Sequence, residues 1–191
     1  MSEATTAFGP SALATPANAV TMARLVLSPV LFAMIVASGH SWPAFVLWTG
    51  LALTDGLDGW LARRMGTTRS GAFLDPLADK VLVIGAMISL VAIGVFWWLP
   101  VVLITAREVL LSLYRSYWGR RGLAIPATYW AKVKTLAQGV AVGFALLPVT
   151  ADAHPWVATG FLWLAVVLTL ATGAHYVLQG RRAMTVDGHL A

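Results

Sequence analysis

The sequence predicts an all-α integral membrane protein. It is expected to be a bundle of six transmembrane helices with a polar cavity facing the cytoplasm and both termini cytoplasmic. Three observations predict this. Of the 191 residues, 59% are hydrophobic and 11% charged, whereas a soluble domain carries about 25% charged residues and is about half apolar. Six apolar stretches each approach the ~20 residues needed to cross roughly 30 Å of hydrocarbon. The basic residues gather in alternate connections between those stretches.

Taken in order, the stretches cover approximately residues 18–38, 43–62, 72–95, 97–118, 128–149 and 156–178. Residues 1–17 form a short cytosolic lead-in without the basic n-region of a secretory signal peptide, expected to turn helical near Thr15 and Pro16. The connections are short: SGHSW, RRMGTTRSG, GVFWW, GRRGLAIPA and TADAHP. Short links between long helices imply up-down packing with antiparallel neighbours. Trp42, Trp97, Trp98 and Trp156 fall at stretch ends, where interfacial aromatics belong. Pro29, Pro100 and Pro126 kink helices or mark their edges. One domain, residues 18–180, is followed by an exposed cytosolic tail, residues 181–191, and no internal repeat is visible.

Charge sets the orientation. All 13 Lys and Arg lie near the lead-in, the second-to-third connection, the fourth-to-fifth connection or the C-terminus. By the positive-inside rule those regions are cytoplasmic, which makes the chain a multi-pass protein of the cell membrane. A net charge of +5 is small for a nucleic-acid binder, so no nucleic-acid partner is expected. With no cysteine, a disulfide framework and a cysteine-ligated zinc site are both excluded.

Several charges fall inside the apolar stretches: Arg24, Lys80, Arg107 and Arg115, together with Asp55, Asp58, Asp75, Asp79 and Glu108. A charge at the bilayer centre costs about 2.5–3.5 kcal/mol on insertion scales. Four uncompensated carboxylates would cost on the order of 10 kcal/mol, comparable to the stability of a whole domain. They are therefore expected to face a polar cavity on the cytoplasmic side and to meet cations there.

The acids sit in DGLDGWLARRMGTTRSGAFLDPLADK, residues 55–80. Asp55 and Asp58 are three apart, about 60° from each other around a helix, and Asp75 and Asp79 are four apart, about 40°. Each pair is a two-carboxylate edge, and the short basic loop between them lets the edges converge. Four carboxylates balance two divalent cations, and hard oxygen ligands favour Mg²⁺ or Mn²⁺. Two such ions clamp a phosphate or diphosphate. Gly56 reads as a helix-packing glycine, whereas Gly59 and Gly71 suit the close approach of a bulky ligand. Arg63, just beyond Asp58, suits a bidentate phosphate contact, while Arg64 and Arg69 read as plain positive-inside charges.

These residues carry a family resemblance. Asp55, Asp58, Gly59, Ala62 and Arg63, then seven residues, then Gly71, Asp75 and Asp79 match D-x2-D-G-x2-A-R…G-x3-D-x3-D at every fixed position. The chain resembles the CDP-alcohol phosphotransferases, membrane enzymes that pass the phosphatidyl group of a CDP-linked lipid to an alcohol. The resemblance implies that Asp55, Asp58, Asp75 and Asp79 hold two divalent cations. It implies that Asp79 is also the base that takes the proton from the acceptor hydroxyl, which attacks the β-phosphorus as CMP leaves. Gly59, Ala62, Arg63, Gly71 and, more weakly, Thr68 would form the CDP-lipid site. The family also suggests a homodimer set among membrane lipids.

A second charged cluster bears on the alcohol. Arg107 and Arg115 are eight apart, about two helical turns, and Lys132 and Lys134 follow on the next stretch. Three or four cations suit an anionic acceptor such as a phosphorylated alcohol. The words A-R-E, S-x2-R and A-K-V-K-T-x2-Q, at 106–108, 112–115 and 131–138, are similar to one branch of the family. So are LDPLADKVLV and the opening N-x2-T-x2-R through Asn18, Thr21 and Arg24, which would lie near the nucleotide. That branch uses CDP-diacylglycerol and sn-glycerol 3-phosphate and makes phosphatidylglycerophosphate. Other acceptors within the family are phosphatidylglycerol, giving cardiolipin, and inositol phosphate. A more distant reading is an ion-coupled transporter, against which stand the short chain and the missing repeat.

His40, His154, His175 and His189 are scattered and read as surface or interfacial residues. For Glu108, pairing with a cation of a neighbouring helix outweighs a substrate contact. If Asp79 is the base, Asp79→Asn abolishes CMP release while CDP-diacylglycerol binding persists; near-normal turnover in that variant contradicts the assignment.

Overall fold

The computed structural model describes residues 16–65, 71–119 and 129–187, with side chains over 18–54, 77–114 and 133–174. Its elements are α1 (Pro16–Ser38), α2 (Trp42–Met65), α3 (Gly71–Ala92), α4 (Trp98–Gly119), α5 (Tyr129–Leu146), α6 (Pro148–Ala153) and α7 (Pro155–Asp187). No strand occurs among the described residues.

Local chemistry sets the helix ends. Pro16, Pro148 and Pro155 each open a helix, where the missing N–H costs nothing and φ is already fixed. Ser41 Oγ accepts from the Ala44 N–H at 3.4 Å at the start of α2. α1 stops at Gly39, whose φ of 64° is left-handed and whose N–H donates to the Ile35 carbonyl at 2.9 Å. Gly94, φ 76°, follows the end of α3 in the same way.

The helices form two compact units. One runs to Ile93 and includes Leu146–Pro148; the other comprises Gly94–Ala145 and the chain from Val149. In the first unit α1 packs against both α2 and α3. The face of α1 that is buried reads Asn18, Thr21, Arg24, Ser28, Leu31 and Ile35, spaced three and four apart as one helical stripe requires. It is polar in its first half and apolar in its second. Met22, Val26, Val30 and Val36 on the same helix are exposed. This inverts the soluble pattern and fits a helix with lipid outside and polar groups turned inward. From α3, Ala78, Leu82, Ala86, Met87 and Leu90 are buried. Gly85 faces Phe32 of α1 so closely that a Cβ there would lie inside the ring's contact distance.

In the second unit α4 packs on α7. Phe144 of α5 stacks on Phe161 of α7 with ring centres 5.5 Å apart, and Trp97 meets Trp163 at 6.2 Å. Leu110, Leu113, Leu136 and Val167 are exposed, while Lys134, Gln138, Thr169 and Thr172 are buried. The inversion thus recurs. Trp42, Trp97, Trp98 and Trp156 are all exposed near the starts of α2, α4 and α7, as expected of interfacial tryptophans. Among the described residues, 18–38 and 155–174 are long and apolar enough to cross a membrane, and 42–54 and 133–146 form shorter apolar helices.

The structure differs from the sequence expectation in places. α2 runs on to Met65, taking Arg63 and Arg64 into the helix. α3 ends at Ala92 rather than near residue 95 because Gly94 takes a positive φ. The link TADAHP is not plain loop: α6 occupies most of it, opened by Pro148 and followed by a fresh start at Pro155. α7 continues to Asp187, so most of the expected tail from 181 is helical. No Gly or Pro interrupts residues 181–187, and Gly188 is the first breaker after Gly180.

The α1–α3 approach is a packing test. Gly85→Leu should lower the melting temperature of the detergent-solubilised protein, by the overpacking cost of about 1–3 kcal/mol. Phe32→Ala should restore part of the loss. An unchanged melting temperature in Gly85→Leu would contradict the close approach.

Candidate functional site

The predicted acidic centre divides between α2 and α3. Asp55, Asp58, Gly59, Ala62 and Arg63 lie on α2, and Gly71 opens α3 ahead of Asp75 and Asp79. Both carboxylate pairs therefore keep the helical spacing that puts each pair on one face. Thr68 lies outside the described residues, as do the side chains of Asp55, Asp58, Gly59, Ala62, Arg63, Gly71 and Asp75. Asp79 is half-buried and engaged by a partner. Among the described residues no three metal-ligating side chains form a group, and three of the four aspartate side chains are not among them.

α1 supplies the next part. Asn18, Thr21 and Arg24, the three fixed positions of the opening word, are each at most 1% exposed. All three have interaction partners. Ser28 extends the stripe by a turn and its hydroxyl donates to the Arg24 carbonyl at 2.7 Å. Because α1 packs on both α2 and α3, its polar stripe belongs to the unit that carries the four aspartates. Ser28 escaped sequence reading, although its place four residues after Arg24 on an otherwise apolar helix was the available signal.

The cationic cluster lies in the second unit and is tightly knit. Arg107 Nη1 donates to Glu108 Oε1 at 2.9 Å. Lys134 Nζ, from α5, donates to the same oxygen. Arg107 Nη2 donates to Thr172 Oγ1 on α7 at 2.8 Å, and that hydroxyl donates to the Leu168 carbonyl at 2.7 Å. The side chains of Arg107, Glu108 and Lys134 are 11%, 13% and 5% exposed. In so dry a place two cations require an anion between them. One turn along, Gln138 Nε2 donates to Thr169 Oγ1 at 3.4 Å, forming a second polar layer between α5 and α7. Gly173 borders the first layer: a Cβ there would stand 3.4 Å from Arg107 Nε, an ordinary van der Waals contact.

Two of the four predicted acceptor cations, Arg107 and Lys134, are thus brought together. The side chains of Arg115 and Lys132 lie outside the described residues. Glu108 does what the sequence favoured for it and pairs with a neighbouring helix's cation, with Arg107 of its own helix as well. Thr169, Thr172 and Gly173 were not singled out; their signal was a T-x2-T-G run inside an apolar stretch. Arg107 and Glu108 are adjacent, so helix periodicity alone predicts that they diverge by about 100°. Their long side chains nonetheless meet on the Lys134 side.

The family described as CDP-alcohol phosphatidyltransferase matches residues 14–171. A protein named probable phosphatidylglycerophosphate synthase from Mycobacterium tuberculosis strain H37Rv is 40% identical over 180 residues, covering 91% of this chain and 85% of the relative. A CDP-diacylglycerol–glycerol-3-phosphate 3-phosphatidyltransferase from Escherichia coli K12 is 35% identical over 179 residues, covering 88% and 95% respectively. A protein of the same name from Shigella flexneri is 35% identical over 176 residues with the same coverage.

The Arg107–Thr172 contact predicts a measurable stability effect. Thr172→Val leaves a partly buried guanidinium N–H without its acceptor, at a cost of about 1–3 kcal/mol. Thr159→Val, on an exposed stretch of the same helix, should cost far less in thermal unfolding. Equal effects would contradict the docking role of Thr172.

Proposed function

The chain belongs to the CDP-alcohol phosphatidyltransferase family, and from that premise we propose that it transfers the phosphatidyl group of CDP-diacylglycerol to sn-glycerol 3-phosphate. The products are phosphatidylglycerophosphate and CMP, and the reaction is a step of phospholipid biosynthesis. The observation that carries the class of acceptor, a phosphorylated alcohol, is the Arg107–Lys134 pair, two largely buried cations drawn to one carboxylate oxygen. An uncharged alcohol gives no reason for such a pair, whereas a phosphorylated alcohol does. The names of the relatives support the same acceptor.

The reaction is a displacement at phosphorus. Asp79 takes the proton of the acceptor hydroxyl, the freed oxygen attacks the phosphorus that bears diacylglycerol, and CMP departs. Arg63 neutralises charge on the diphosphate. Asn18, Thr21, Gly59, Ala62, Thr68 and Gly71 form the surroundings of the CDP-lipid. Arg107, Arg115, Lys132 and Lys134 receive the acceptor phosphate. The half-buried setting of Asp79 on α3 suits a base that must act away from bulk water.

Asp55, Asp58, Asp75 and Asp79 would hold two divalent cations, Mg²⁺ or Mn²⁺. The donor set fits: only carboxylate oxygens, in two helical pairs at spacings three and four, on α2 and α3. When bound, the ions supply charge neutralisation to the diphosphate and to the departing CMP. Six of the helices are the six spans of a multi-pass protein of the cell membrane, with the active site on the cytoplasmic side. Exposed apolar faces on both units leave room for lipid and for a second copy of the chain in a homodimer.

An acceptor screen tests the proposal. Purified protein, CDP-diacylglycerol and Mg²⁺ or Mn²⁺ should release CMP with glycerol 3-phosphate well above inositol phosphate, phosphatidylglycerol or serine. Arg107→Ala should raise the acceptor KM by about tenfold or more and change the CDP-diacylglycerol KM far less. CMP release with none of the acceptors contradicts the enzyme reading; a selective rise in the CDP-diacylglycerol KM contradicts the placement of the phosphate.

A further inference from the structure

Glu108 is more than a structural pin for the cations on either side of it. We propose that it determines which class of acceptor the site takes. Its carboxylate is a resident anion that an incoming ligand must displace, so the site accepts a phosphomonoester dianion and refuses a phosphodiester monoanion. The inference rests on the acceptor reading above.

The charges motivate it. Arg107, Glu108 and Lys134 together carry a net charge of +1, and a single atom, Glu108 Oε1, accepts from both cations. A monoanion displacing Glu108 brings no more charge than the carboxylate it replaces. It also leaves that carboxylate, 13% exposed, without its partners in a dry setting, which is strongly unfavourable. A phosphomonoester brings close to two charges and three acceptor oxygens. It can engage both cations and still outweigh the loss.

The geometry lets the exchange occur without losing the site. Arg107 is anchored independently of Glu108, because Nη2 donates to Thr172 Oγ1 at 2.8 Å. The Thr172 hydroxyl is itself oriented by its bond to the Leu168 carbonyl. Lys134 carries its charge on a flexible stem and can follow the stronger anion. Arg107 Nε is buried and makes no hydrogen bond among the described residues. It stands beside Gly173, 3.4 Å from where a Cβ of that residue would be. Glu108 meets the guanidinium through Nη1 alone. A three-oxygen phosphate can satisfy Nε as well, and an orphaned buried donor favours the ligand that reaches it.

The setting gives the device a purpose. Membrane surfaces are dense in phosphodiester headgroups. Without the Glu108 carboxylate, the two cations would bind them by mass action and be blocked. A built-in carboxylate raises the threshold above what a monoanion offers, so selectivity comes from repelling the wrong ligand as well as attracting the right one.

Methyl phosphate and dimethyl phosphate test this, since above pH ~7 the first is mainly a dianion and the second a monoanion. Binding would be followed by thermal shift and by competition against glycerol 3-phosphate in CMP release, in an uncharged detergent. The wild type should bind methyl phosphate at least about tenfold more tightly than dimethyl phosphate. In Glu108→Gln the gap should narrow about tenfold, chiefly through tighter dimethyl phosphate binding. Equal binding of the two in the wild type, or an unchanged gap in Glu108→Gln, overturns the proposal. Should Glu108→Gln not fold, Lys134→Gln serves, because Glu108 then balances Arg107 alone and methyl phosphate binding should be lost. Its persistence overturns the proposal. A wild type that releases no CMP with glycerol 3-phosphate removes the acceptor reading itself; turnover with an unchanged gap removes only this inference.

Discussion

A charge inside an apolar bundle must meet its opposite, and the Glu108 carboxylate shows how strongly that constraint acts. One oxygen holds an arginine of its own helix and a lysine of the next. Threonine hydroxyls of a third helix complete the network. Hydrophobic burial distinguishes little between neighbouring helix faces when the surroundings are as apolar as the residues themselves. Polar groups then decide which faces turn inward. In the second unit they select the contacting faces of α4, α5 and α7; in the first, the Asn18–Ser28 stripe does the same for α1.

This division of labour explains why the interior is polar where chemistry is proposed and apolar where it is not. α1 is the clearest case. Its buried stripe changes from Asn18, Thr21, Arg24 and Ser28 to Leu31 and Ile35 within a single helix. The polar half is the N-terminal half of the helix, on the side proposed to face the cytoplasm. The apolar half ends at the Gly39 cap, beside the tryptophan that opens α2. Both halves suit the proposed substrate, which joins a charged nucleotide to a greasy diacylglycerol. A small residue tunes the fit: Gly85 lets the Phe32 ring close on α3.

The helices were largely legible in the sequence because runs of about 20 apolar residues have few alternatives in hydrocarbon. The ends were less so. α6 was hidden because Pro148 fell inside the expected fifth stretch and Pro155 in a link read as loop, although proline equally opens helices. The length of α7 was missed because RRAMTVD carries no apolar stripe to announce a helix. At the site, the aspartate spacing was legible because a motif fixes residues along one chain. The Arg107–Glu108–Lys134–Thr172 network was legible only in part. Its members come from three helices, and which carboxylate meets which cation depends on side-chain reach rather than on spacing. Sequence proposed a row of phosphate-binding cations; the structure adds that two of them are already held by an internal anion.

Joining an acceptor hydroxyl to the phosphatidyl group with expulsion of CMP is tested most directly by glycerol 3-phosphate carrying a heavy-oxygen label in its attacking hydroxyl. Phosphorus NMR of the lipid product should show the label bridging the new phosphodiester, with none in CMP. A product whose new diester lacks the label, or CMP formed with no new diester, would contradict the account.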